Sequence, residues 1–278
     1  MDSRPAGSAN PMSGRCKINV ALFGYREGHH LIASSVTFPA QVRQFLATVT
    51  DSSGSESPRG FQTAYTGIPV PDTHFYALFC TWPAPEMPRP GCVWSHVLLI
   101  DLADLARIPD LSFLKQYFRR PELPIEVTDF SLPLDVEIPE RAASLNEESL
   151  FRADHLLRLL YGAPSASVAI MAPEGLSWEE PVFAVWSQQW PKLRRDFTFS
   201  TGSLGDRGQS GSAFDLQIAP QTSRRVWGRK TTYSSLVVDL ADTPVVALED
   251  DAWLRVALED LRNPDSGLRT FSSDLEAI

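Results

Sequence analysis

Two nearly continuous apolar runs, 73–82 (THFYALFCTW) and 92–101 (CVWSHVLLID), constrain the fold of this chain more than any other feature. Each is of strand length and rich in aromatic and branched residues. Neither alternates apolar with polar positions, so each predicts a strand covered on both faces. The connector PAPEMPRPG leaves the sheet, because its prolines have no N–H to give a ladder. A layer buried on two sides needs cover above and below, and the rest of the chain must supply it.

The remaining periodicities predict that cover. Residues 17–24 and 29–35 read as strands, joined by Tyr25-Arg26-Glu27-Gly28, a loop of hairpin length with Gly28 available for a positive φ. Val42, Phe45, Leu46 and Val49 recur at helical spacing, and 51–60 reads as a polar, flexible loop. A short helix is predicted at 111–118, and a strand around 135–138 within the Pro-rich stretch 121–139. Ser144 and Glu147 have capping-box spacing ahead of a helix that Gly162 stops. Strands follow at 167–172, 196–201, 214–219 and 234–240. A helix is predicted at 178–190, with Pro181 in its first turn, and a last one at 249–262. The loop at 202–212 (GSLGDRGQSGS) reads as flexible.

The expectation is an α+β protein of mixed or antiparallel sheets with flanking helices, in two sub-domains. The predicted parts are a disordered leader (1–16), an N-terminal α+β domain (17–120), a Pro-rich linker (121–143), a middle α+β domain (144–248) and a C-terminal helical segment (249–278) that could begin a further region.

Composition removes several classes of function. The chain of 278 residues is 43% hydrophobic, enough for a sizeable core. A formal net charge of −9 argues against broad binding to nucleic-acid backbones, which Lys and Arg drive. Three cysteines without CxxC spacing predict no disulfide framework and a reducing, cytoplasmic setting. No apolar run approaches the length of a membrane-spanning helix, and the first fifteen residues lack the apolar core of a signal peptide. There is no phosphate-binding loop, dinucleotide fingerprint, HExxH motif or nucleophile elbow. No cofactor or metal is expected, since His29, His74, His96 and Cys92 match no standard zinc spacing.

Three constellations carry the candidate site residues. In Gly24-Tyr25-Arg26-Glu27-Gly28-His29-His30, Tyr25 and His29 could bind a ligand, or His29 could act as a general base; the alternative is a hairpin turn that needs its glycines. His30 points away from His29, because neighbours on a strand face opposite sides. In Trp94-Ser95-His96, the imidazole shares a face with Trp94, Leu98 and Ile100. It is either a hydrogen-bonded core residue or one wall of a pocket with Tyr25 and His29. In Arg194-Arg195-Asp196-Phe197-Thr198-Phe199-Ser200-Thr201, the two guanidiniums with Ser200 and Thr201 could hold an anion, or could be a helix end and a strand.

Three runs in this order, FGYREGHHLIASS, YALFCTWPAPEMPRPGCVWSHVLLID and VWSQQWPKLRRDFTFSTGSLGDR, resemble the N-terminal and middle regions of the bacterial family called GTPase-associated protein one. The resemblance covers most of 18–207, and its signature positions fall on Gly24, Tyr25, Gly28, His29, His96, Arg194 and Arg195. It implies a component of a multi-gene bacterial conflict system for antiviral defence or self/non-self discrimination, encoded beside a GTPase. It also implies members longer than this chain, and it assigns no catalytic residue. The leading expectation is a non-catalytic adaptor or sensor that engages that GTPase and passes its state to an effector. The alternatives are a hydrolase or transferase using Tyr25, His29 and His96, and a structural oligomerisation module.

Overall fold

The two apolar runs lie side by side, as their composition demands. In the computed structural model, which describes residues 14–51, 63–162, 167–173, 176–209, 212–227, 235–239, 251–264 and 268–269, β4 (Phe75–Pro83) and β5 (Val93–Asp101) pair antiparallel from Phe75–Asp101 to Pro83–Val93. Eight successive residues of β5 are buried. The strand β1 (Arg15–Tyr25) pairs with β5 on one side and forms a hairpin with β2 (His29–Ser34). On the other side, β4 pairs with β3 (Ala64–Pro69). The last two residues of the predicted leader, Arg15 and Cys16, belong to β1, where β6 (Leu134–Glu137) pairs with them. The rest of that leader and nearly all of the 51–60 loop lie outside the described residues.

The sheet continues through the second half of the chain. Next to β3 comes β8 (Phe199–Ser200), then β11 (Leu216–Pro220), β7 (Ser167–Ala172) and β12 (Ser235–Asp239), giving ten strands among the described residues. The β8–β3 contact is antiparallel, whereas β8, β11, β7 and β12 run parallel to one another. An antiparallel half and a parallel half thus meet at β3–β8, and the segments on either side of the Pro-rich stretch build one sheet. A small separate hairpin pairs β9 (Gly208–Gln209) with β10 (Ser212–Ala213).

Helices cover both faces. One face carries α2 (Leu102–Arg107), a 3-10 helix (Leu111–Tyr117), α3 (Glu147–Gly162), α4 (Glu179–Gln188), α5 (Pro191–Asp196) and α7 (Ala252–Arg262). They close over the largest apolar cluster, where Leu98 and Ile100 from the first half meet Phe183, Trp186 and Phe199 from the second. The opposite face carries α1 (Ala40–Thr50), whose Val42 and Leu46 pack on Phe23, Phe79 and Val97. Beyond it, Trp227 of α6 (Arg224–Trp227) packs on Ala169, Met171 and Ala219.

Local chemistry accounts for the departures from the sequence reading. The helix α3 starts at Glu147, where the Asn146 carboxamide accepts the Ser149 N–H at 2.8 Å, in place of the predicted Ser144 cap. Pro191 divides the predicted 178–190 segment and its continuation into α4 and α5, since a proline suits only the first turn of a helix. The Pro-rich stretch contributes a second 3-10 helix (Val127–Phe130) and buries Phe130.

Candidate functional site

The alternation of side chains along a strand decides which candidates can meet. In register across the sheet, Leu22, His96, Cys80 and Tyr65 form one row, and Phe23, Ser95, Thr81 and Ala64 form the next. Successive rows face opposite sides. His96 points to the helix-rich face, and Phe23 and Ser95 point to α1. His29 stacks on the Phe23 ring with centroids 6.2 Å apart and planes at 16°. Its Nε2 lies 2.9 Å from Thr50 Oγ1, at the end of α1. The two imidazoles therefore stand on opposite faces of the sheet. The alternative of a pocket shared by Tyr25, His29 and His96 is not formed, because His29 packs on the α1 side with Phe23 and Thr50 while His96 projects to the other side against Phe118 and Phe130.

His29 is held by a defined chain of donors. The Thr50 hydroxyl gives its proton to Leu46 O at 2.8 Å, so it accepts from His29, whose Nε2 carries the proton. Burial lowers the imidazole pKa, Asp51 raises it in opposition, and His30 lowers it further. The Thr50 carbonyl accepts the Ser95 hydroxyl at 3.1 Å, and Ser95 is 2.8 Å from the Thr81 hydroxyl. These contacts satisfy the last turn of α1, where carbonyls lack intrahelical partners. Ser95 is therefore directed at a backbone carbonyl, with no imidazole to activate it. Tyr25 is half-buried opposite His29 in the hairpin ladder.

The two glycines of the turn have distinct jobs. A side chain at Gly24 would overlap the Trp94 ring, so glycine here lets an indole lie against the backbone. Gly28 has φ 139°, in the region that favours glycine.

His96 is 2% exposed. Its Nδ1 accepts the Arg119 N–H at 3.1 Å, which places the proton on Nε2. Among the described residues Nε2 has no hydrogen-bond acceptor. The ring meets those of Phe118 and Phe130 edge-on, at 5.7 and 5.1 Å. Burial, with a smaller push from Arg119, brings its pKa down to about 4. The contact pins the backbone at Arg119 onto the sheet.

The second-half candidates also separate. Arg194 is buried and donates to main-chain oxygens: Gln189 O and Ile108 O at 2.8 Å each, and Ser187 O. Its guanidinium thus closes the carboxyl ends of α2 and α4, where orphan carbonyls gather. Arg195 is half-buried at the end of α5. Ser200 faces the other side of the sheet and takes the Thr66 hydroxyl proton at 3.2 Å. Thr201 exchanges bonds with the Tyr65 backbone, accepting at 2.9 Å and donating at 2.8 Å. The anion cradle read from Arg194, Arg195, Ser200 and Thr201 is not assembled, since the buried guanidinium and the two hydroxyls serve different layers.

The structure adds a polar group that the sequence reading passed over. Arg207, in the segment read as flexible, reaches the carboxyl end of α1 at Val49 O and lies 3.5 Å from Thr66 Oγ1. It sits 5.7 Å from the Phe214 ring centroid. Its own N–H goes to Gln217 Oε1 at 2.8 Å, and Gln217 donates to Asp206 at 3.0 Å. Burial lowers the Arg207 pKa to about 10, with Asp51 opposing. An Arg among Gly and Ser carries no periodic signal, so its burial was not readable. Among the described residues no three His, Cys, Asp or Glu side chains converge as a metal site. No helix among them is long and apolar enough to cross a membrane.

Fold and site together define an α+β protein whose polar groups are buried as braces between layers. Residues 17–118 match the family described as GTPase-associated protein 1, N-terminal domain type 1. The first two of the three resembling runs lie within the matched residues; the run 185–207 lies outside them. No curated protein and no solved structure matched the chain.

Proposed function

We propose that the protein is a non-catalytic adaptor or sensor in a bacterial GTPase-linked conflict system, engaging a GTPase encoded beside it and passing its state to an effector. The observation that carries this reading is the match of residues 17–118 to a GTPase-associated domain. The side-chain geometry supports it. The imidazoles of His29 and His96 are divided by the sheet, and Ser95 bonds to the Thr50 carbonyl. An acid–base or nucleophilic site needs such groups within hydrogen-bond reach of one another.

The test is co-elution. The purified chain and the neighbouring GTPase, loaded with GDP or a non-hydrolysable GTP analogue, are run together by size-exclusion chromatography with light scattering. The expected result is a complex in at least one nucleotide state, with no nucleotide hydrolysis by the chain alone. Separate elution in both states would refute the reading.

A further inference from the structure

The two ends of the sheet are finished differently. At one end β2 is covered: the 3-10 helix at 127–130 packs on it, with Phe130 in one apolar cluster with Ala33 and Ile32. A bulge at Leu22 and Phe23 also breaks the regularity of its pairing with β1. At the other end β12 pairs with β7 alone, in parallel. Among the described residues, the outer main-chain groups of 236–238 have no hydrogen-bond partner.

The side chains of β12 are apolar on both faces. In register with β7, Leu236 and Val238 lie beside Val168 and Ile170 on the helix-rich face, and Val237 lies beside Ala169 on the α6 face. Leu236 is 43% exposed and Val237 41%. The edge strand of a monomer is ordinarily blunted by a lysine, a proline, a bulge or an inward charge. The strand SLVVD has none of these in its middle. Its one charged residue is Asp239, at the end, paired with Arg224 at 2.8 Å.

We propose that β12 is a dimerisation edge, through which two copies of this chain pair antiparallel and join their sheets into one. The strand is complementary to itself. Laid against its copy about a twofold axis at Val237, it sets Val237 opposite Val237, Leu236 opposite Val238 and Ser235 opposite Asp239. Apolar residues meet apolar ones on both faces, and the single carboxylate falls opposite a neutral residue and away from its like. Pairing of this kind closes at two chains. An extended segment of another protein would use the same main-chain groups, but the second copy brings the matching side chains with it. The region that matches the family lies toward the β2 end of the sheet. One dimer therefore carries two such regions, at opposite ends of the joined sheet.

Sedimentation velocity of the full chain, over a concentration range from about 1 to about 200 μM, tests the edge. The expected result is a reversible monomer–dimer equilibrium with a Kd of about 100 μM or tighter. Val237→Lys and Val237→Glu each set like charges face to face at the axis, and each is expected to weaken association at least tenfold. An equimolar mixture of the two variants is expected to dimerise again, since opposite charges then meet. Thermal unfolding of each variant checks that it is folded. A monomer at every concentration, a dimer unchanged in folded Val237→Lys, or a mixture that stays monomeric would overturn the proposal. A chain that is monomeric alone, and that loses its complex with the GTPase through Val237→Lys, would assign the edge to that partner and overturn the second copy. The sedimentation samples contain no GTPase, so failure there leaves the adaptor reading standing.

Discussion

Acidification acts on this fold through His96. In an unfolded chain the imidazole titrates near 6.5; in the folded protein burial brings it down to about 4. Above 6.5 the ring is neutral in both states and folding pays no proton penalty. As the pH falls below 6.5 the unfolded chain takes up a proton that the folded chain refuses, so stability declines. The decline amounts to about 1.4 kcal/mol per pH unit and levels off only near the folded pKa. Over the whole window it reaches about 3 kcal/mol, a large part of the roughly 5–15 kcal/mol that holds a typical domain together. His96→Asn removes the titration while keeping an acceptor for the Arg119 N–H. Urea unfolding at pH 7, 6, 5 and 4.5 should show the wild type losing stability more steeply than the variant, by about 1 kcal/mol per unit below pH 6. His29, whose pKa burial also lowers, is present in both proteins and cancels. Parallel pH profiles would refute the assignment of His96 as a buried neutral base.

Two further perturbations probe the packing. Gly24→Ala pushes a methyl group into the Trp94 ring and should cost about 2–3 kcal/mol in chemical denaturation, with a change in indole fluorescence. Arg194→Met strands the carbonyls of Gln189 and Ile108 and should cost about 3 kcal/mol in urea unfolding, whereas Arg195→Met should cost less than about 1 kcal/mol.

Long uninterrupted apolar runs made β4 and β5 readable, because covering on both faces leaves no polar alternation to confuse. The β1–β2 hairpin was readable from glycine at a position that needs positive φ. The strand β3 was not. Its six residues AYTGIP hold a glycine and a proline, and Gly67 is tolerated there because the Phe199 ring and the Tyr76 hydroxyl approach its backbone. That packing is a long-range property that no local window contains. Candidate residues were harder for the same reason. Residue types pointed to His29 and His96, but the side of the sheet each occupies follows from register, which strand pairing sets. Arg194 was correctly placed at a helix end, yet its partners on α2 lie some ninety residues away in sequence. The polar row through Thr66, Ser200 and Gln217 joins strands from both halves, and nothing in the order of residues announces their adjacency.

The two-residue strand β8 has a consequence out of proportion to its length. Where it touches β3, it occupies main-chain groups on the border of the region that the family match covers. Stripped of that neighbour, the border would offer bare amides and carbonyls to any passing extended segment, the condition under which proteins self-associate. The later part of the chain therefore serves the earlier part as a guard against unwanted company, whatever else it does.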